Sequence, residues 1–340
     1  MKYLSYTSIA LALSMALSGC GGGGGGGSST SSAPSTPVAP STPPAVVANL
    51  QVAATPTYAT TSEEFNYFTA VNAFRSAEGL GPLNQNKYYD IASAAHANYE
   101  NLNAGTLGAS HGEVSGYAGF TGNNPLDRVQ AVGGTAFVVE EEEGIADTIG
   151  AVGSGAVFAS QLINSVYHRA GLIYQGLTEM GVSIGITNAQ YTSVSDLGFT
   201  TQQVNAGTYF GVYPTDGLTG VGLHAHPELP DPYPAGIDVA TQTGYPINVA
   251  SQESTTLTVT TFTVTEQGST TPLSATLITS SDPNLTGNNN LAFLVANAAF
   301  APNTTYTVNF VGTITGTATG IANGIPVNQQ WSFTTGTTSP

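Results

Sequence analysis

Three histidines, His96, His111 and His168, share the window between residues 61 and 186 with an uninterrupted acidic run, Glu140-Glu141-Glu142-Glu143. Apart from Lys2, every cationic side chain lies there too: Arg75, Lys87, Arg128 and Arg169. Cations kept for solubility would be spread along the chain, yet residues 187–340 carry no Lys or Arg. The chemistry is therefore expected inside this window. Four adjacent carboxylates repel one another, which raises at least one pKa and favours a bound cation. The alternative is a solvated acidic start to a following helix, stabilised by the helix dipole. Ser165 precedes His168 by three residues, a spacing that puts both on one helix face. Serine hydrolysis would also need an orienting acid and an oxyanion site, and no G-x-S-x-G elbow is present. Ser165 is therefore read as a shaping hydroxyl. His224, His226 and Glu228 alternate and could face one way, but the prolines around them favour a solvated connector. Arg75 and Arg128 are expected in internal ion pairs, such as Glu78 or Asp127 would provide, and His96 between a helix and a sheet.

The formal charge is −16 with only 8% charged residues, so Thr, Ser, Asn and Gly must wet much of the surface. Phosphate binding needs a basic face, and nucleic acid is excluded as a partner on that ground. The one cysteine, Cys20, cannot form an internal disulfide. It closes Leu17-Ser18-Gly19-Cys20 after Lys2 and an apolar stretch from Ile9 to Leu17, too short to span a bilayer. These four residues resemble a bacterial lipobox. The resemblance implies that Cys20 becomes the lipidated first residue of the mature protein, with Gly21 compatible with outer-membrane sorting in a Gram-negative cell. Acyl chains contribute about 0.8 kcal/mol per buried CH₂, so several on one residue anchor stably. Residues 21–60, glycines followed by Ser, Thr, Pro and Ala, read as a flexible tether.

Thr61-Ser62-Glu63-Glu64 has capping-box spacing, and Phe65, Phe68, Val71 and Phe74 follow at helical intervals up to Gly79. Further helices are expected from about Asn86 to Leu102, from Asn124-Pro125 to Val132, and from Ser154 to Tyr174. Strands are expected over Met180 to Ile186, Tyr191 to Leu197 and Tyr209 to Tyr213. Helices flanking an antiparallel sheet make an α+β layer structure over residues 61–213. Residues 214–245, with five prolines, read as a connector. Residues 246–340 alternate as strands, with a bulge between Leu257-Val259 and Phe262-Val264, and read as an all-β sandwich of immunoglobulin type.

Asn72-x-x-Arg75, Gly79-Leu80, Pro82-Leu83, Ala95-His96-Ala97, Ser110-His111-Gly112-Glu113, Gly119-Phe120-Thr121-Gly122, Asp127-Arg128, Ser165-x-x-His168-Arg169 and Thr178-Glu179-x-Gly181-Val182 follow one another along residues 61–186. In this order they resemble bacterial CAP (SCP-like, PR-1-like) domains, which implies an α-β-α sandwich. It also implies a central cleft lined by two histidines, matched here by His111 and His168, and by acidic residues. Glu141 or Glu143 is the expected acidic partner. Imidazoles with a carboxylate and an open position suit Zn²⁺ or another divalent cation. A second glutamate of the family pattern has no counterpart between Gly150 and His168. Glu179 takes a structural place, pairing Arg169, and Arg128 and Ser165 shape the cleft. At the C-terminus, Ala301-Pro302-Asn303-Thr304-Thr305-Tyr306 and Trp331-Ser332-Phe333-Thr334-Thr335 resemble bacterial Ig-like domains.

The expected function is that of a lipid-anchored, extracytoplasmic, non-catalytic binding module for a small apolar ligand, a cation or an envelope component. It would be held to the membrane through Cys20, in the outer membrane, periplasm or at the cell surface if the cell is Gram-negative. Two alternatives stand beside it. One is a metal-dependent hydrolase of envelope peptides or esters using the His/Glu cleft. The other is an adhesive or structural surface protein acting through its Thr-rich domain.

Overall fold

Ser62 Oγ accepts a hydrogen bond from the Phe65 amide and opens the first helix, α1 (Glu63–Ala77), with Glu63 and Glu64 in its first turn. The cap falls on Ser62, one residue beyond the expected Thr61. The computed structural model describes residues 46–146, 155–187, 190–316 and 321–338. The leader, Cys20 and most of the expected tether lie outside the described residues. After α1 come β1 (Asn84–Gln85), α2 (Lys87–Asn103) and α3 (Pro125–Ala131). The side chains of Asn86 and Asn124 cap the two helices, with Pro125 in the first turn of α3. Then follow β2 (Val138–Ala146), α4 (Gly155–Ile163), α5 (Tyr167–Leu172), β3 (Glu179–Thr187) and β4 (Gln190–Phe199).

These strands form one sheet in the order β1-β3-β4-β2, with β1 parallel to β3 and the other pairs antiparallel. Tyr89 and Ala92 of α2 pack with Val129 of α3 on one face. On the other, Phe68 and Val71 of α1 and Phe158 and Leu162 of α4 pack on Val182 and Leu197. The α-β-α order agrees with the sequence expectation. The glutamate run differs from its alternative reading: it starts no helix but is the middle of edge strand β2, with Glu140↔Leu197 and Glu143↔Val194 in register.

The expected helix from Ser154 to Tyr174 is two helices. Between them Ser165 Oγ donates to the Leu162 carbonyl at 2.6 Å, and the amides of Val166 and Tyr167 turn to the Glu228 carboxylate at 2.6 and 2.8 Å. An apolar stripe does not register such a break, because the acceptor comes from 60 residues away in sequence.

Past β4 the chain is β-rich: β5 (Phe210–Tyr213), β6 (Leu218–Val221), the short α6 (Val239–Gln242), β7 (Ile247–Ser251), β8 (Thr256–Glu266), β9 (Ala275–Thr279), β10 (Leu291–Ala296), β11 (Thr305–Gly316) and β12 (Ile321–Thr335). They form two sheets, β5-β7-β10-β9 and β6-β12-β11-β8. The expected bulge in β8 appears where its register against β11 shifts, between Val311 and Gly312. Between the sheets lie Ile247, Val249, Leu294, Phe262, Val308, Phe310, Trp331 and Phe333.

Two expected boundaries move. Phe210–Tyr213, expected to close the first domain, pairs with β7, and Leu218–Val221, expected within the connector, pairs with β12. Proline density marked the turns around these short strands and hid the strands themselves. The first β sheet is also covered on its other face. Ala250, Ile278, Leu291, Phe293 and Val295 join the core under α1, α4 and α5, so β7 and β10 are buried at every position. At the other end, residues 46–60 lie against the domain: Asn49 pairs with Val204, and Gln51 Nε2 donates to the carbonyls of Pro82 and Thr178. The expected tether is thus docked from residue 46. Among the described residues no helix is long and apolar enough to cross a membrane.

Candidate metal centre

Alternation along β2 sorts the four glutamates. Glu141 and Glu143 face α2 and α3, whereas Glu140 and Glu142 face α5, where their carboxylates lie against Gly171.

On the first face His96, fully buried on α2, has its Nδ1 3.0 Å from Glu113 Oε1. Its Nε2 lies 2.9 Å from Glu143 Oε1 and 3.0 Å from the Ser110 carbonyl. All three partners can only accept, so both ring nitrogens carry protons and His96 is an imidazolium. Burial works against that charge, but the Glu143 hydrogen bond and the Glu141 field prevail and push its pKa up to about 9. Glu113 also receives Thr121 N at 2.5 Å, Thr121 Oγ1 at 3.0 Å and Gly122 N at 3.2 Å. Arg128 Nη2 donates to Glu141 Oε2 at 2.5 Å and its Nη1 to the His111 carbonyl at 3.0 Å. His111 Nδ1 stands 3.3 Å from Glu141 Oε1, and its side chain is 49% exposed. Burial alone would raise the Glu141 pKa, but His111, His96 and Arg128 hold it below the usual carboxylate range.

Glu113, Glu141 and Glu143 face two fixed cations, Arg128 and His96, so the cluster keeps an acidic excess. His111, Glu141 and Glu143 each offer a donor atom within 4.8 Å of the others; His96, Glu100 and Glu143 do so as well. The first set fits a divalent cation better, because His96 spends both nitrogens on acceptors. One imidazole and two carboxylates are an N/O donor set that Zn²⁺ takes.

On the opposite face, His168 Nδ1 lies 3.1 Å from Glu228 Oε2 and 3.3 Å from Ser165 Oγ. Its Nε2 is 4.0 Å from Glu142 Oε2. Burial and the surrounding carboxylates Glu140, Glu228, Glu141 and Glu143 push the Glu142 pKa well up. His111 and His168, expected in one cleft, address neighbouring glutamates, Glu141 and Glu142, whose side chains alternate across the sheet. Ser165 is buried, its hydroxyl donates to the Leu162 carbonyl, and it meets the same imidazole nitrogen as Glu228.

Three expected pairings are replaced. Arg169 is buried and donates to the Ile163 and Pro246 carbonyls and to Asn248 Oδ1, with the rings of Tyr213 and Tyr245 about its guanidinium. Glu179 sits instead beside Tyr89. Arg75 donates to the carbonyls of Gly81, Leu172 and Tyr174, and Arg128 takes Glu141 in place of Asp127. Sequence reasoning missed His96 and Glu228 as site residues. His96 stood in the quoted Ala95-His96-Ala97 step, and Glu228 in the His224-His226-Glu228 alternation.

The three-layer arrangement and the order of these residues have a counterpart among known proteins. The family model CAP, the cysteine-rich secretory protein family, matches residues 68–203. This segment is a CAP domain. It contains no cysteine. Among solved structures, an outer surface protein from Borrelia burgdorferi is similar at 14% identity and a TM-score of 0.34, covering 42% of this chain and 95% of that one. An extracellular protein containing a SCP domain from Bacillus anthracis is similar at 22% identity and a TM-score of 0.30. In that comparison 39% of this chain and 39% of the other are covered. No curated protein matches the sequence.

Proposed function

We propose that the protein is exported and lipid-anchored through Cys20, and that its CAP domain is a non-catalytic module binding a divalent cation at His111, Glu141 and Glu143. The observation that carries this is the meeting of three donor groups within 4.8 Å beside a half-exposed histidine, in a cluster with excess negative charge. Arg128 and Glu113 hold the frame from behind, so the donors are ordered before an ion arrives. A cation suits the domain better than an apolar ligand. A cavity of about 360 Å³ is lined by Asn49, Gln51, Thr178, Glu179 and Thr200 to Gln203, a polar wall. Another, of about 250 Å³ beside Tyr233, Ile237 and Val295, falls below the usual range for small-molecule sites. The β sandwich, resembling Ig-like domains, serves as a support fused to the CAP domain through their shared sheet.

Isothermal titration of the purified full-length protein with Zn²⁺ tests the reading, beside a His111→Ala, Glu143→Gln variant. Stoichiometric uptake that the double variant loses supports it. A variant that takes up as much Zn²⁺ as the parent, or a parent that takes up none, sinks it.

A further inference from the structure

The polar cavity of about 360 Å³ lies where β3 begins and β4 has just ended, and its size is within the usual range for small-molecule sites. Glu179, the first residue of β3, lines it with Thr200, Thr201 and Gln202, which follow β4, and with Asn49 and Gln51 of the docked N-terminal segment. That segment precedes residues 68–203, so the cavity is completed by a part of the chain outside the family match.

The wall is ordered before a ligand arrives. Asn49 and Val204 exchange both backbone hydrogen bonds, at 2.7 and 3.0 Å. Gln51 Nε2 is spent on the Pro82 and Thr178 carbonyls, each at 2.5 Å, and its backbone N–H donates to Gln203 Oε1 at 3.2 Å. Gln202 Nε2 donates to the Tyr174 hydroxyl at 2.8 Å, which fixes the plane of its carboxamide. One group is left over: Glu179 Oε2 is buried and has no hydrogen-bond partner. The hydroxyl of Tyr89, beside Glu179, is buried without a partner as well. An acceptor and a donor that lie close and do not close on each other can both be served by one ligand hydroxyl, which donates and accepts at the same atom.

The lining also says what does not fit. Every side chain in it is an amide, a threonine hydroxyl or Glu179, with no Lys, Arg or His among them. An anionic ligand would meet Glu179 with no cation to pair with, and an apolar one would strip polar groups of water without return. A peptide N–H only donates and its carbonyl only accepts, so neither serves Glu179 and Tyr89 together. Phe137 adds an apolar surface nearby. Its amide donates to the Phe199 carbonyl at 3.0 Å, which sets it across the strand pair from Thr200, and it is 70% exposed. A flat, exposed ring suits the C–H face of a sugar ring, as the amides and the carboxylate suit its hydroxyls.

We infer that this cavity is a binding site for a neutral saccharide, with Glu179 and the carboxamides of Asn49 and Gln202 taking its hydroxyls and Phe137 its C–H face. The site shares no residue with the His111 cluster and does not rest on the cation reading.

Isothermal titration of the full-length protein with maltotetraose, cellotetraose and chitotetraose tests the inference, with tetragalacturonate as the acidic counterpart and tetraglycine as the peptide. At least one neutral oligosaccharide is expected to bind with a Kd of about 1 mM or below. Glu179→Gln is expected to weaken that binding by about 10–100-fold, since a hydrogen bond to a charged acceptor is the strongest contact offered. Gln202→Ala and Phe137→Ala, both at exposed positions, weaken it by about 2–10-fold each and leave the melting temperature and Zn²⁺ uptake as in the parent. These two remove no buried group, so they decide the matter even where Glu179→Gln costs stability. An oligosaccharide that binds the variants as tightly as the parent would lie elsewhere and overturn the inference. So would tetragalacturonate or tetraglycine binding as well as the best neutral sugar, or no binding by any neutral member of the panel.

Discussion

Glu141 and Glu142 are neighbours in sequence and opposites in environment. Glu141 faces Arg128, His111 and His96 and is held ionised; Glu142 faces Glu140 and Glu228 and is pushed toward its neutral form. Strand alternation alone creates this difference, since successive side chains on β2 enter different layers. The acidic run was legible in the sequence as a place of chemistry, but which members meet which histidine was not, because that depends on the strand's register against β4. Arg128 is the counterweight on the Glu141 side. Fully buried, it lies 2.5 Å from Glu141 and 3.9 Å from Glu113. Removing one partner of a buried pair leaves an uncompensated charge, at a cost of about 3–5 kcal/mol. Arg128→Met is therefore expected to lose about that much stability, read as a lower urea midpoint with an unchanged slope. A loss under about 1 kcal/mol would show that the carboxylates rearrange without it.

At the scale of elements, local signals held where the local chain supplies its own hydrogen bonds. Ser62, Asn86 and Asn124 cap their helices with their own side chains, and the three starts fall within a residue of expectation. Ser62→Ala should destabilise the protein by about 1 kcal/mol, measured by chemical denaturation, while Thr61→Ala should leave it within experimental error. The reverse ranking would place the cap on Thr61 after all. Local signals failed where a distant group intervenes. The helix expected through Tyr174 breaks at Asn164 to Val166 because Glu228 takes the amides that would have continued it. The strands Phe210–Tyr213 and Leu218–Val221 were misplaced for a related reason: each has four residues, and its partner lies far along the chain.

For the molecule as a whole, the consequence is one continuous body in place of two beads on a connector. The sheet holding β7 and β10 serves both cores, and buried polar groups cross the join: Arg169 reaches Pro246 and Asn248, and Asn248 Nδ2 donates to Glu78 Oε1 at 2.8 Å. Glu78 is pushed up to about 7 by burial, which the Asn248 hydrogen bond and the charges of Arg169 and Arg75 only partly offset. Glu253, at the same join, is pushed up to about 7 by burial too. Between the ordinary carboxylate pKa and about 7 the folded protein binds more protons at these groups than the unfolded chain does. Their contribution is therefore complete below the unfolded pKa and is lost as pH rises through about 7. The melting temperature is expected to be a few degrees lower at about pH 8 than at about pH 5, with Glu78→Gln flattening the profile. A profile that rises over this range, or one that Glu78→Gln leaves unchanged, would refute the assignment.

The sequence by itself determined the helix starts and the change from helices to strands. It also determined the ordered residues that mark residues 68–203 as a CAP domain. These are written in composition, short spacings or contiguous caps, and the reading of Cys20 as a lipid anchor rests on the same kind of local pattern. Only the tertiary structure decided that His96 is a fixed cation, that His111 and His168 address glutamates which alternate across β2, and that Glu228 takes the amides at the break between α4 and α5. Those facts depend on which side chains are brought together across 14 to 60 residues or more. A one-residue change of register would reverse every one of the glutamates, and a linear pattern does not specify the register.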